Sequence, residues 1–84
     1  MQVKTKANLI SFYDDSFVGR DGNPVSAYKV QLGRAGEAAI DLPLDEAAYN
    51  KLMQKQAGYT EDVPVLLELR KFGNKLSVRC IDIL

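Results

Sequence analysis

The first dozen residues alternate apolar and polar side chains with the period of two that is typical of a β-strand. Val3 and Leu9 lie on one face, and the apolar positions then change parity at Ile10 and Phe12. We therefore predict a long first strand over residues 3–13, with a β-bulge or sharp bend near Leu9. A strand that bends in this way contributes to two sheets, as is common in small barrels.

The rest of the chain has the patterns of four further strands and one helix. Period-two patterns predict strands over residues 25–32, 37–42, 63–72 and 75–84. Between the strands predicted over residues 37–42 and 63–72, apolar residues recur at helical spacing, with Asp45 as the predicted N-cap and Gly58 as the stop. Gly73-Asn74 has glycine first, which is the signature of a type II′ hairpin turn.

This order of elements predicts the fold class. Three strands, a helix and two strands are typical of a mainly β, five-stranded oligonucleotide/oligosaccharide-binding (OB) barrel, with one short helix between strands 3 and 4. We expect a single domain over residues 1–84. An SH3-like barrel is the alternative, but it usually lacks a helix at that place. The predicted buried residues are Leu9, Val30, Leu32, Ile40, Leu52, Val65, Leu67, Leu69, Val78 and Cys80.

Charge is distributed unevenly although the net charge is zero. Residues 1–34 carry a balance of +2, residues 35–69 a balance of −5, and residues 70–84 a balance of +3. Since the first and last strands of a barrel can be neighbours, the two basic ends are expected to form one patch. No long apolar run follows the first residues, so we expect neither a signal peptide nor a membrane segment, and a cytoplasmic protein.

The sequence contains little of the chemistry that catalysis requires. It has no histidine, and Cys80 is its one cysteine, predicted to be a core residue because it alternates with Leu76 and Val78. The acidic residues lack the spacing of a calcium loop. We therefore expect no enzymatic activity, no catalytic residues, no cofactor, no metal site and no small-molecule substrate.

Aromatic and basic residues near the predicted loops suggest a different activity. Aromatic faces stack on unpaired bases, and lysine and arginine neutralise phosphates. An alternative for Phe17 is that it folds onto the core, and for the basic groups that they only keep strand edges soluble. The predicted nucleic-acid-binding residues are Tyr13, Phe17, Arg20, Lys29, Arg34, Arg70, Phe72, Lys75 and Arg79.

Three short segments resemble a known family. Residues 20–26 are similar to the Arg-x-Gly-x-Pro-aromatic-Ser segment of filamentous-phage single-stranded DNA-binding proteins, with Val25 in place of the aromatic residue. Residues 42–46 resemble the Thr-Leu-Asp-Glu stretch after the family's third strand, and residues 72–76, followed by Arg79, resemble its C-terminal hairpin. The resemblance implies an OB barrel that coats single-stranded DNA, commonly as a dimer.

By residue match, the resemblance implies that Arg20 and Arg79 contact phosphates and that Phe72 stacks on a base or lies at a contact between protomers. We thus expect a sequence-non-specific single-stranded DNA-binding protein of a phage or mobile element, favouring DNA over RNA and forming a homodimer. The alternative is a protein–protein interaction module on the same barrel. That module would use Leu66, Ile81 and Ile83 as an apolar strip.

Overall fold

The structure, a computed structural model, describes residues 1–83, so that Leu84 at the end of the predicted fifth strand lies outside the described residues. In chain order the elements are β1 (Gln2–Asp14), β2 (Phe17–Val18), β3 (Pro24–Val25), β4 (Tyr28–Gly33), β5 (Ile40–Leu44), α1 (Glu46–Gln54), β6 (Thr60–Phe72) and β7 (Lys75–Ile83). No helix within residues 1–83 has the length and apolar character needed to cross a membrane.

Five of these strands close a mixed barrel in the order β1, β4, β5, β7 and β6, with β6 returning to β1. All neighbours are antiparallel except β5 and β7, which are parallel. The long strand β1 pairs with β6 through its first half and with β4 through its second half, and both ladders change register beside Leu9. The predicted bend at Leu9 and the mainly β, five-stranded barrel with one short helix are therefore confirmed.

The helix α1 begins after Asp45, as predicted, but it ends earlier than Gly58. Gln56 takes a left-handed conformation with φ of 50°, and its N–H donates to the Met53 carbonyl. The next N–H, that of Ala57, donates to the Leu52 carbonyl at 3.1 Å. These two bonds form a Schellman motif, so the left-handed residue that follows the helix is Gln56, two residues before the predicted glycine.

Ala48 and Leu52 of α1 are buried together with the barrel core, whose members are Leu9, Val30, Leu32, Leu44, Val63, Val65, Cys80 and Ile83. The prediction of burial is confirmed for six core residues: Leu9, Val30, Leu32, Leu52, Val65 and Cys80. Leu67, Leu69 and Val78 are only partly buried. Burial raises the pKa of the Cys80 thiol to about 11, so that it stays protonated and unreactive at neutral pH.

Two predictions about individual core positions are wrong. Ile83 was expected to face outward but is buried, because β7 carries one extra residue between the pairs Val65–Ile83 and Leu67–Cys80, which reverses its parity. Ile40 was expected to be buried but is 54% exposed. The helix covers one end of the barrel, and Ile40 lies at the other end, which no element covers among residues 1–83.

Two predicted strand boundaries are also wrong. The run over residues 25–32 is divided, because β3 leaves the barrel to pair with β2, and β4 begins only at Tyr28. A hydrogen bond joins the two ends of the β2–β3 hairpin where it leaves the barrel: the Ser16 hydroxyl accepts from the Ala27 N–H at 3.1 Å. The third barrel strand is Ile40–Leu44 rather than residues 37–42, because residues 34–39 form the connecting turn and loop.

Candidate nucleic-acid interface

A row of outward-facing residues crosses four strands of the barrel. Tyr13 of β1 lies opposite Lys29 of β4, and Lys29 lies opposite Pro43 of β5. Leu44 and Cys80 are paired in parallel, so the residues before them, Pro43 and Arg79, are neighbours. Of the predicted binding residues, Tyr13 and Lys29 are therefore direct cross-strand neighbours on the outside of the barrel. Arg79 is separated from Lys29 by Pro43 and lies farther around the closed barrel.

Tyr13 lies across β4 on this surface. Its hydroxyl donates to Oδ2 of Asp41 at 3.3 Å, and Asp41 belongs to β5, on the far side of β4. The ring therefore spans the strand between the two and stays 39% exposed. Partial desolvation and the Asp41 carboxylate raise the pKa of Tyr13, so the hydroxyl remains protonated and keeps donating at neutral pH.

The β2–β3 hairpin carries two further predicted residues beside the end of β1. Phe17 lies opposite Val25 and is 56% exposed, so it faces solvent and does not fold onto the core. The tip is held by Asp21, whose carboxylate accepts from the Asn23 N–H and from Asn23 Nδ2, each at 3.0 Å. These bonds lower the pKa of Asp21 and leave Arg20, its neighbour, exposed at the tip.

The β6–β7 hairpin presents another group of predicted residues on its outer face. Cross-strand pairs there are Phe72 with Lys75, Arg70 with Ser77, and Glu68 with Arg79. Phe72 is 62% exposed, as the tight turn at Gly73 leaves its ring no core to reach. The hairpin thus continues the outer surface from Arg79 toward the turn, about 13 Å farther along β7 at 3.3 Å per residue.

Carboxylates neutralise two of the predicted arginines. Arg79 Nη2 lies 2.5 Å from Asp45 Oδ1, and Arg70 Nε lies 2.6 Å from Glu68 Oε1. Asp45 therefore engages Arg79 instead of capping α1, since its side chain makes no cap hydrogen bond. Among residues 1–83, the cations of this surface without an ion pair are those of Arg20, Lys29 and Lys75.

Arg34 does not join the other predicted residues. Its Nη2 donates to Thr5 Oγ1 and to the Lys6 carbonyl, each at 3.1 Å, which ties the β4–β5 turn to β1. It lies five residues from Lys29, or about 16 Å along the strand direction. Arg34 borders a cleft of about 610 Å³ whose lining includes Tyr59 and Asp62. We assign Arg34 to the support of this turn.

Sequence reasoning missed three acidic members of the interface: Asp41, Asp45 and Glu68. Glu68 had a visible signal, since it lies two residues before Arg70 and on the same strand face. Asp41 and Asp45 had none, because their contacts with Tyr13 and Arg79 join positions 28 and 34 residues apart. Within residues 1–83, no group of three acidic, cysteine or histidine side chains is placed to hold a metal ion.

Comparisons of the chain with protein-family models, with curated proteins and with solved structures find no match.

Proposed function

We propose that this chain binds single-stranded nucleic acid, DNA in preference to RNA, without reading a sequence and without catalysis. The carrying observation is that an exposed ring and an unpaired cation, those of Tyr13 and Lys29, are cross-strand neighbours on the outer faces of β1 and β4. The β2–β3 hairpin that follows β1 and the β6–β7 hairpin farther around the barrel each expose a further aromatic ring and carry a further unpaired cation. Such a combination suits a strand whose phosphates meet cations while its bases stack on rings.

The topology supports an OB-type barrel as the scaffold for this function. The OB fold is a five-stranded Greek-key barrel that binds oligonucleotides with its strands 2 and 3 and the adjacent loops. Here the second and third barrel strands are β4 and β5, which carry Lys29 and Asp41, and the loop before β4 is the β2–β3 hairpin. The resemblance of residues 20–26, 42–46 and 72–76 to phage single-stranded DNA-binding proteins favours DNA and a role in replication of a phage or mobile element.

A titration of a fluorescently labelled single strand tests this proposal. We expect anisotropy to rise on addition of the protein to an oligonucleotide of about 20 nucleotides at low salt, and the affinity to fall steeply as salt is added. A duplex of the same length is the control, and it should bind more weakly because its bases are stacked on each other. Equal affinity for both would contradict recognition of exposed bases.

We also propose that the protein acts as a homodimer through the uncovered end of the barrel. Val3, Ile40 and Leu76 are exposed there by 37%, 54% and 65%, although all three belong to inward-facing positions of their strands. An uncovered apolar barrel end of this kind favours association. Sedimentation equilibrium should give a dimer for the wild type and a folded monomer for Leu76→Asp. A wild-type monomer at high micromolar concentration would contradict the dimer.

The alternative of a protein–protein interaction module loses part of its basis. The apolar strip predicted for that module consists of Leu66, Ile81 and Ile83. Ile83 is buried in the core and cannot contact a partner, and Leu66 and Ile81 are partly buried. Salt dependence separates the two functions, because phosphate binding weakens with salt whereas apolar association does not.

A further inference from the structure

Asp41 is an unusual charge for a surface that is proposed to meet phosphates. The other two carboxylates on the β5–β7–β6 side, Asp45 and Glu68, are each paired with an arginine. Asp41 instead accepts from the Tyr13 hydroxyl, and within residues 1–83 no cation lies within ion-pair distance of it. Its negative charge opposes the binding of phosphate, so it favours a ligand group that donates hydrogen bonds.

The base of a stacked nucleotide can supply that group. Oδ2 of Asp41 accepts from the Tyr13 hydroxyl, while Oδ1 makes no hydrogen bond within the described residues. The carboxylate lies at the edge of the Tyr13 ring, so a base stacked on that ring would extend its hydrogen-bonding edge toward Oδ1. Cytosine offers an N4 amino donor at this edge, whereas thymine offers a carbonyl acceptor in the same place.

We infer that Asp41 accepts a hydrogen bond from the exocyclic amino group of a base stacked on Tyr13, so that this surface prefers cytosine-rich over thymine-rich single strands. The inference rests on the proposed function and refines its substrate class. Carboxylates are the side chains that accept from cytosine N4, and a carbonyl opposite a carboxylate is repelled. The preference acts at one stacked base per protomer and leaves the phosphate contacts independent of sequence.

Competition between two homopolymers tests the inference directly. Wild-type protein would be titrated with labelled oligo-dC and oligo-dT of about 20 nucleotides at pH 7.5 and at one fixed salt concentration. We expect oligo-dC to bind about five-fold more tightly, as a hydrogen bond to a charged group contributes this much or more. Asp41→Asn should reduce the ratio to one or below, because the amide oxygen still accepts from Tyr13 while the amide NH2 donates to thymine and no longer accepts from cytosine.

A matched control removes the same charge elsewhere. Glu37→Gln changes an exposed carboxylate in the β4–β5 connection, away from Tyr13, and should leave the oligo-dC to oligo-dT ratio at its wild-type value. Both variants alter exposed side chains, so circular dichroism should report an unchanged fold. A fall in the ratio in both variants would mean that net charge alone sets the preference, and it would overturn the inference.

The outcomes separate this inference from the proposed function. Equal binding of both homopolymers by the wild type, or an unchanged ratio in Asp41→Asn, overturns the role of Asp41 while single-strand binding stands. If neither homopolymer binds at low salt, the proposed function itself fails. A five-fold ratio that disappears in Asp41→Asn and persists in Glu37→Gln supports both.

Discussion

The two regions that carry the predicted binding residues differ in how their side chains are held. On the sheet and the β2–β3 hairpin, Arg20 and Lys29 have no ion-pair partner among residues 1–83, and the Tyr13 ring is fixed by Asp41. On the β6–β7 hairpin, Arg70 and Arg79 are already paired with carboxylates. Outward orientation alone therefore does not make a basic residue available to a phosphate.

This difference has an energetic consequence for binding. A free lysine or arginine gains a phosphate and releases a counterion without giving up another contact. A paired arginine must first leave or share its carboxylate, and the phosphate is then repelled by that carboxylate. We therefore expect the sheet region to provide most of the affinity and the β6–β7 hairpin to provide a smaller share.

The largest expected effect concerns the two aromatic rings. Tyr13→Ala should weaken single-strand binding by about 1–3 kcal/mol, because the fixed ring stacks on a base without further loss of side-chain freedom. Phe72→Ala should cost less, since Phe72 is 62% exposed and no aromatic ring among residues 1–83 packs against it. Anisotropy titrations of both variants measure the difference. A larger loss for Phe72→Ala would reverse the proposed ranking of the two regions.

The second effect concerns the cations. Arg20→Ala and Lys29→Ala should each reduce the slope of log affinity against log salt by about 0.7, the value for one phosphate on a single strand. Arg79→Ala should reduce it less, and Asp45→Asn should strengthen binding because it frees Arg79. The check is the salt titration of the four variants. A full loss of 0.7 for Arg79→Ala would show that the Arg79–Asp45 pair opens on binding.

How much of this arrangement the sequence predicts depends on whether the determining contact is local. The period-two pattern is enough to indicate that Lys29 and Arg79 face outward, because each alternates with apolar residues of its strand. The turn at Gly73-Asn74 is enough to indicate that Phe72 is exposed, because a residue beside a tight turn has little core to reach. The partners of Tyr13 and Arg79 arise only when strands distant in sequence are paired, so no local pattern reveals them. In the sequence, Asp41 belongs to the acidic middle segment, far from the basic ends. In the structure, however, it contacts Tyr13 near the first of those ends.

The wrong predictions about the fold also concern features that a local sequence pattern does not determine. The parity of Ile83 depends on an extra residue in β7 that the ladder with β6 requires, and the exposure of Ile40 depends on which barrel end the helix covers. The helix end at Gln56 was missed because glycine is the usual left-handed residue there, and glutamine gives no such signal.

The smallest expected effect concerns a substitution outside both binding regions, which tests whether stability alone changes the measured affinity. Gln56→Gly should raise the free energy of unfolding by about 0.5–1 kcal/mol, since glycine adopts the positive φ of 50° without a steric penalty. Urea denaturation measures this change. Single-strand affinity should stay the same, as Gln56 belongs to neither region. A change in affinity would mean that global stability influences the titrations of the other variants.

The salt dependence of single-strand binding by the wild-type protein tests the central claim most directly. Three unpaired cations, those of Arg20, Lys29 and Lys75, predict a line with a slope of about −2 or steeper when log affinity is plotted against log salt. Binding of an oligonucleotide of about 20 nucleotides at low salt with such a slope is the expected result. No binding at low salt, or an affinity that does not change with salt, would contradict the account.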